Sequence, residues 1–73
     1  MFKKGESLTL NDNKDYTVVF VTKYNDNDYV YLIDQDDYTT TMFCKYDSND
    51  GLEEVIDSVV IEELLKLFYQ SQN

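Results

Sequence analysis

From Leu8 to Tyr46 the chain repeats one pattern, a short β-branched and aromatic run followed by a short acidic cluster. Leu8-Thr9-Leu10 alternates and gives way to Asn11-Asp12-Asn13-Lys14-Asp15. Acidic and amide residues favour turns, because their side chains bond nearby backbone groups and tolerate left-handed backbone. Tyr16 to Thr22 is the strongest strand signal in the chain. Plain alternation puts Tyr16, Val18 and Phe20 on one face and Thr17, Val19 and Val21 on the other. Asn25-Asp26-Asn27-Asp28 marks a second turn, Tyr29 to Ile33 a second clear strand, and Asp34-Gln35-Asp36-Asp37 a third turn. Tyr38 to Tyr46 alternates again, with Tyr38, Thr40, Met42, Cys44 and Tyr46 on one side, before a fourth turn at Asp47-Ser48-Asn49-Asp50-Gly51. Connections of about 3–5 residues are too short for parallel crossovers, so the strands form an antiparallel meander.

After Asp57 the period changes. Ile61, Leu64, Leu65 and Phe68 fall at helical spacing, and Val60 and Leu67 widen that stripe. Glu62, Glu63, Lys66 and Gln70 lie on the other side. Asp57 or Ser58 is placed to cap the first turn. A single helix of about 12 residues is marginal alone, so it must cover a sheet face. The expected fold is α+β: an antiparallel meander of three to five strands followed by one C-terminal helix packed on one face. Residues 1–73 read as one domain, with 1–6 as a flexible N-terminus and Leu52, Val55 and Ile56 as a lead into the helix, with room for a last short strand.

Composition narrows the function. Fifteen acids against six lysines, with no His, give a net charge of -9. That charge argues against direct binding to nucleic acid, which needs cations to neutralise phosphates. It equally argues against docking on an anionic membrane. At 42% hydrophobic the chain is too apolar to be a disordered acidic tail. Seven Tyr and four Phe supply packing area suited to a small core. Ala, Pro, Arg, His and Trp are absent while Asn, Asp, Lys and Tyr are plentiful, a bias typical of an AT-rich bacterial or phage genome. The N-terminus lacks the apolar stretch of a signal peptide and no run approaches a membrane span, so a cytoplasmic location is expected.

Most catalytic arrangements fall away for want of residues. Without His there is no Ser-His-Asp or Cys-His arrangement and the commonest general base and metal ligand is missing, and one Cys makes no structural zinc site. Gly5 and Gly51 build no phosphate loop. A non-enzymatic protein without cofactor or metal is expected. Counted from Asp26, a calcium loop would have Tyr31 where glycine is required; counted from Asp47, Ser58 stands at the twelfth position. Those clusters therefore read as solvated turns, and Cys44, inside a strand pattern, reads as a small buried hydrophobe.

Contact with another protein is the leading expectation, and the acidic turns and strand tyrosines are the candidate surface: Asp26, Asp28, Asp34, Asp36, Asp37, Tyr29, Tyr31 and Tyr38. If the helix covers one sheet face, tyrosines on the open face edged by aspartate would suit a basic partner. Cross-strand packing is the plainer role for them and the favoured one. The alternative function is a phage-type nucleic-acid mimic that inhibits a DNA- or RNA-binding enzyme. It requires Asp26, Asp28, Asp34, Asp36 and Asp37, or a comparable set, on one continuous face. Homodimerisation through an exposed edge strand is compatible with either.

From Ser7 to about Tyr69 the chain resembles the YrzB-like small acidic bacterial family (domain of unknown function 1292). The resemblance rests on Leu8-Thr9-Leu10 before an acidic turn, the strands Tyr16 to Val21 and Tyr29 to Ile33, the stretch Leu52-Glu53-Glu54-Val55-Ile56-Asp57, and a closing helix with Leu64-Leu65. The chain has Asp34 where that family often has Pro, and Lys14 where it usually has Gly. The resemblance implies a small sheet-plus-helix domain and brings no residue roles with it.

Overall fold

The computed structural model describes residues 2–49 and 51–72; Asp50, within the fourth turn, lies outside the described residues. Five strands lie in chain order in one antiparallel sheet: β1 (Ser7–Thr9), β2 (Asp15–Tyr24), β3 (Asn27–Asp34), β4 (Thr41–Asp47) and β5 (Gly51–Glu54). One helix, α1 (Ser58–Ser71), follows and packs on the sheet. The expected α+β meander with a C-terminal helix is thus the observed fold.

Aspartate chemistry builds the connections. Among the described residues, Asp12, Asp34, Asp37, Asp47 and Asp57 each accept a hydrogen bond from the backbone N–H two positions on. A short carboxylate reaches that N–H without straining the backbone, which is why aspartate rather than glutamate punctuates this sequence. The β2–β3 hairpin uses two left-handed residues, Asn25 (φ 50°) and Asp26 (φ 65°), closed by the Tyr24–Asn27 pair. This mirror-image turn matches the twist of the strands it joins. Asn27 and Asp28 belong to β3 and not to the turn. Asp57 caps α1, its Oδ1 accepting from the N–H of Val59 at 2.9 Å.

The sheet carries two cores, one on each face. On the helix side, Tyr29, Phe43 and Leu64 are buried, flanked by Tyr31, Val60, Ile61 and Leu65. Phe68 of α1 meets Phe20 and Tyr31 edge-on, at 5.4 and 4.9 Å between ring centres. On the other side Tyr16, Val18, Val30, Leu32 and Cys44 are buried, with Leu8, Leu10, Met42 and Leu52 packed around them. The sheet curls, so its own edges and Phe2 cover the face opposite the helix. That face is therefore largely sheltered, whereas the sequence pattern predicts an open one.

A β-bulge sets the faces of β2. The pairing with β3 slips between Val18 and Phe20, leaving Val19 unmatched. An extra residue reverses the alternation beyond it and bends the strand. Phe20 therefore joins the helix-side aromatics, while Val21 packs with Tyr16 and Val18. The alternation expected from sequence had the two exchanged.

β4 is shorter than its pattern. It begins at Thr41, and residues 35–40 form a loop pinned by Asp37. At the N-terminus, read as flexible from sequence, the Gly5 N–H donates to the Val18 carbonyl (2.7 Å) and the Phe2 ring lies 5.2 Å from that of Tyr46.

Candidate partner-binding surface

In an up-and-down meander alternate turns share an end of the sheet. The β1–β2 turn and the β3–β4 loop lie at one end; the β2–β3 and β4–β5 turns lie at the other. Asp26 and Asp28 are therefore separated from Asp34, Asp36 and Asp37 by the length of β3. The six residue steps from Asp28 to Asp34 span about 20 Å. The five acids singled out by sequence do not share one rim.

Nor are they equivalent. Asp34 is only 3% exposed. It pairs with Tyr16 across the sheet, accepts from the Asp36 N–H at 2.8 Å, and has the Lys14 ammonium at 4.0 Å. It is a structural carboxylate and unavailable as a contact residue. Asp37 is exposed, and its carboxylate accepts from the hydroxyl and N–H of Thr39 and from the hydroxyl of Thr40. Those bonds favour the charged form and hold its pKa below the usual value. Asp36 projects beside it, exposed.

The tyrosines also divide. Tyr29 is buried beneath the helix. Tyr31 stacks on Phe43 at 4.2 Å, and its hydroxyl donates to Thr41 Oγ1. Both serve packing, the plainer of their two roles, because they lie on the face of β3 that α1 covers. Tyr38 is 79% exposed at the tip of the β3–β4 loop.

Two acids not singled out from sequence also lie at this end. Asp12 and Asp15 lie at the β1–β2 turn, on the same rim as Asp36, Asp37 and Tyr38. The Gln35 N–H donates to the Asp15 carbonyl at 2.9 Å, tying turn to loop. Asp12 accepts from the Lys14 N–H and from the Tyr16 hydroxyl at 2.8 Å. Its pKa is lowered, first by the Lys14 N–H and then by Tyr16, while the same bond pushes Tyr16 up to about 12. The signal for this grouping was present in the parity of the turns.

The rim carries the hydrogen-bonded carboxylates of Asp12, Asp15 and Asp37, the exposed Asp36 and the exposed Tyr38 ring, with Lys14 as a cation already engaged by Asp34. Among the described residues no cluster of three or more metal-ligating side chains occurs. No described helix is long and apolar enough to cross a membrane. No family model, no curated protein and no solved structure gives a match to this chain.

Proposed function

We propose that this is a small acidic, non-enzymatic binding or regulatory protein that acts in the cytoplasm by contacting another protein with a basic surface. The observation that carries the reading is Tyr38, 79% exposed on a loop whose backbone is locked by Asp34 and Asp37. A tyrosine on a tied backbone has only two side-chain angles to fix on binding, and such rings dominate contact energies. The carboxylates of Asp12, Asp15, Asp36 and Asp37 around it supply attraction at a distance and select for lysine and arginine on the partner. The order of strands and helix is also what the YrzB-like resemblance implies, and family membership is part of the same proposal.

The nucleic-acid mimic has less to stand on, since its named carboxylates are split between two ends and one of them is buried. The test is affinity capture from the native host with the wild-type protein and Tyr38→Ala. Capture of a basic protein by the wild type, weakened at least tenfold by Tyr38→Ala, supports the reading. Equal capture by both, or none at low salt, overturns it.

A further inference from the structure

The two edges of the sheet face each other across a groove of about 410 Å³, walled by Thr9 and Leu10 on one side and by Leu52 and Glu54 on the other. Met42 and Cys44 form its apolar floor. We propose that this groove takes one extended, basic segment of a partner protein, which enters as a sixth strand between β1 and β5. The inference rests on the reading that the protein acts through protein contacts, and it names where and how one partner segment would bind.

Backbone geometry comes first. The Val55 N–H donates to the Phe43 carbonyl, so the odd-numbered residues of β5 bond to β4. In an antiparallel pair alternate residues turn their N–H and C=O to opposite sides. Leu52 and Glu54 therefore aim theirs at the groove. On β1 the Leu10 N–H donates to the Lys14 carbonyl and the Glu6 carbonyl accepts from Val18, so Ser7 and Thr9 aim theirs outward. A sheet edge with its groups aimed outward is a template for another chain.

Strand parity comes second. Being first and fifth in an alternating sheet, β1 and β5 run in the same direction. One incoming strand running the other way is antiparallel to both and can bond both, closing the curl. Charge comes third. Glu54 is the cross-strand partner of Cys44 and lines the groove, so its side chain projects from the same face as the floor, and Asp12 stands at the mouth. Lys14 at that turn is drawn towards Asp34. A second copy of this chain would bring nine further net negative charges, which disfavours it as the occupant. A segment alternating lysine with valine or isoleucine satisfies floor, walls and edges together.

The probe is a synthetic capped peptide of three Lys-Val repeats, titrated into the isotope-labelled full chain and followed by amide NMR and hydrogen exchange. Expected are shifts at Ser7, Thr9, Leu52 and Glu54, slower exchange of the Leu52 and Glu54 amides, and no response to a Glu-Val peptide. Glu54→Gln should weaken binding about threefold, in keeping with a single exposed charge. Glu54→Pro deletes an N–H that bonds nothing in the sheet, so the fold persists while the edge is blocked and the exchange protection on β5 is lost. Shifts confined to residues 36–38, equal response to both peptides, or no response at millimolar peptide overturns the groove proposal. None of these outcomes depends on Tyr38, so the capture experiment with Tyr38→Ala fails or succeeds separately.

Discussion

Leu64→Ala should detach the helix while leaving the opposite core of the sheet closed. Leu64 is fully buried, the only α1 residue so placed, and it meets Tyr29 and Phe43. The substitution removes three carbons, worth about 2.4 kcal/mol in transfer at ~0.8 kcal/mol each. The cavity left behind brings the cost to roughly 3–4 kcal/mol. A chain of this length has a total stability of about 4–11 kcal/mol, so the loss is a large share of it. An undocked helix of this length is unstable in water and unravels. Leu32, equally buried, sits in the other core beside Cys44, so Leu32→Ala costs a similar amount but opens the other face. Cys44 is a free, buried thiol and reports that opening. The assay combines helical circular dichroism with the rate at which a thiol reagent modifies Cys44. Leu64→Ala should lose helical signal at lower temperature or urea than that at which Cys44 reacts. Leu32→Ala should speed Cys44 modification by about a hundredfold, the factor a loss of ~3 kcal/mol implies. Equal acceleration by both variants, or a cost below about 1 kcal/mol for Leu64→Ala, would refute the two-core reading.

Three further outcomes follow from the same contacts. Tyr16, pushed up to about 12 by Asp12, should ionise late in a spectroscopic titration, and Asp12→Asn should bring it back toward 10.0; because the pKa is raised, this contribution to stability is whole below 10.0 and vanishes as pH climbs through about 12, so an unmoved alkaline limb in Asp12→Asn contradicts the assignment. The lowered pKa of Asp37 acts in the opposite sense: its contribution is present above 3.8 and is lost as pH falls below that value through the folded pKa, so Asp37→Asn should lower stability at pH 7 and flatten the acid limb in urea titrations. Deleting Val19 leaves Val18, Phe20 and Val21 in unbroken alternation and should preserve cooperative unfolding, whereas deleting Thr17 swings Tyr16 out of its core and should abolish it; the reverse ranking would show that the bulge does not set the faces.

The candidate surface was half legible in the sequence. Asp36, Asp37 and Tyr38 stand where the acidic turn pattern suggested a partner would touch. Asp34, equally acidic in sequence, is drawn inward because its carboxylate accepts from the Asp36 N–H and faces the Lys14 ammonium. Asp26 in the β2–β3 turn and Asp28 in β3 lie at the far end of that strand, a separation that depends on the strand's length and not on the composition of its turns.

What the sequence determined by itself is what short-range chemistry decides. Aspartate reaching the N–H two residues on made the turns legible, β-branched and aromatic runs made the strands legible, and the stripe from Val60 to Phe68 with Asp57 before it marked the helix. Tertiary structure alone decided which face each strand residue took, because one unmatched residue at Val19, placed by pairing with β3, inverts the alternation beyond it. It also decided that both sheet faces carry a core. A bent strand curls the sheet, and a curled sheet buries with its own edges the side that the helix does not reach. Bending, and the curl that brings the two sheet edges towards each other, depend on residues far apart in the chain, and no local pattern carries them.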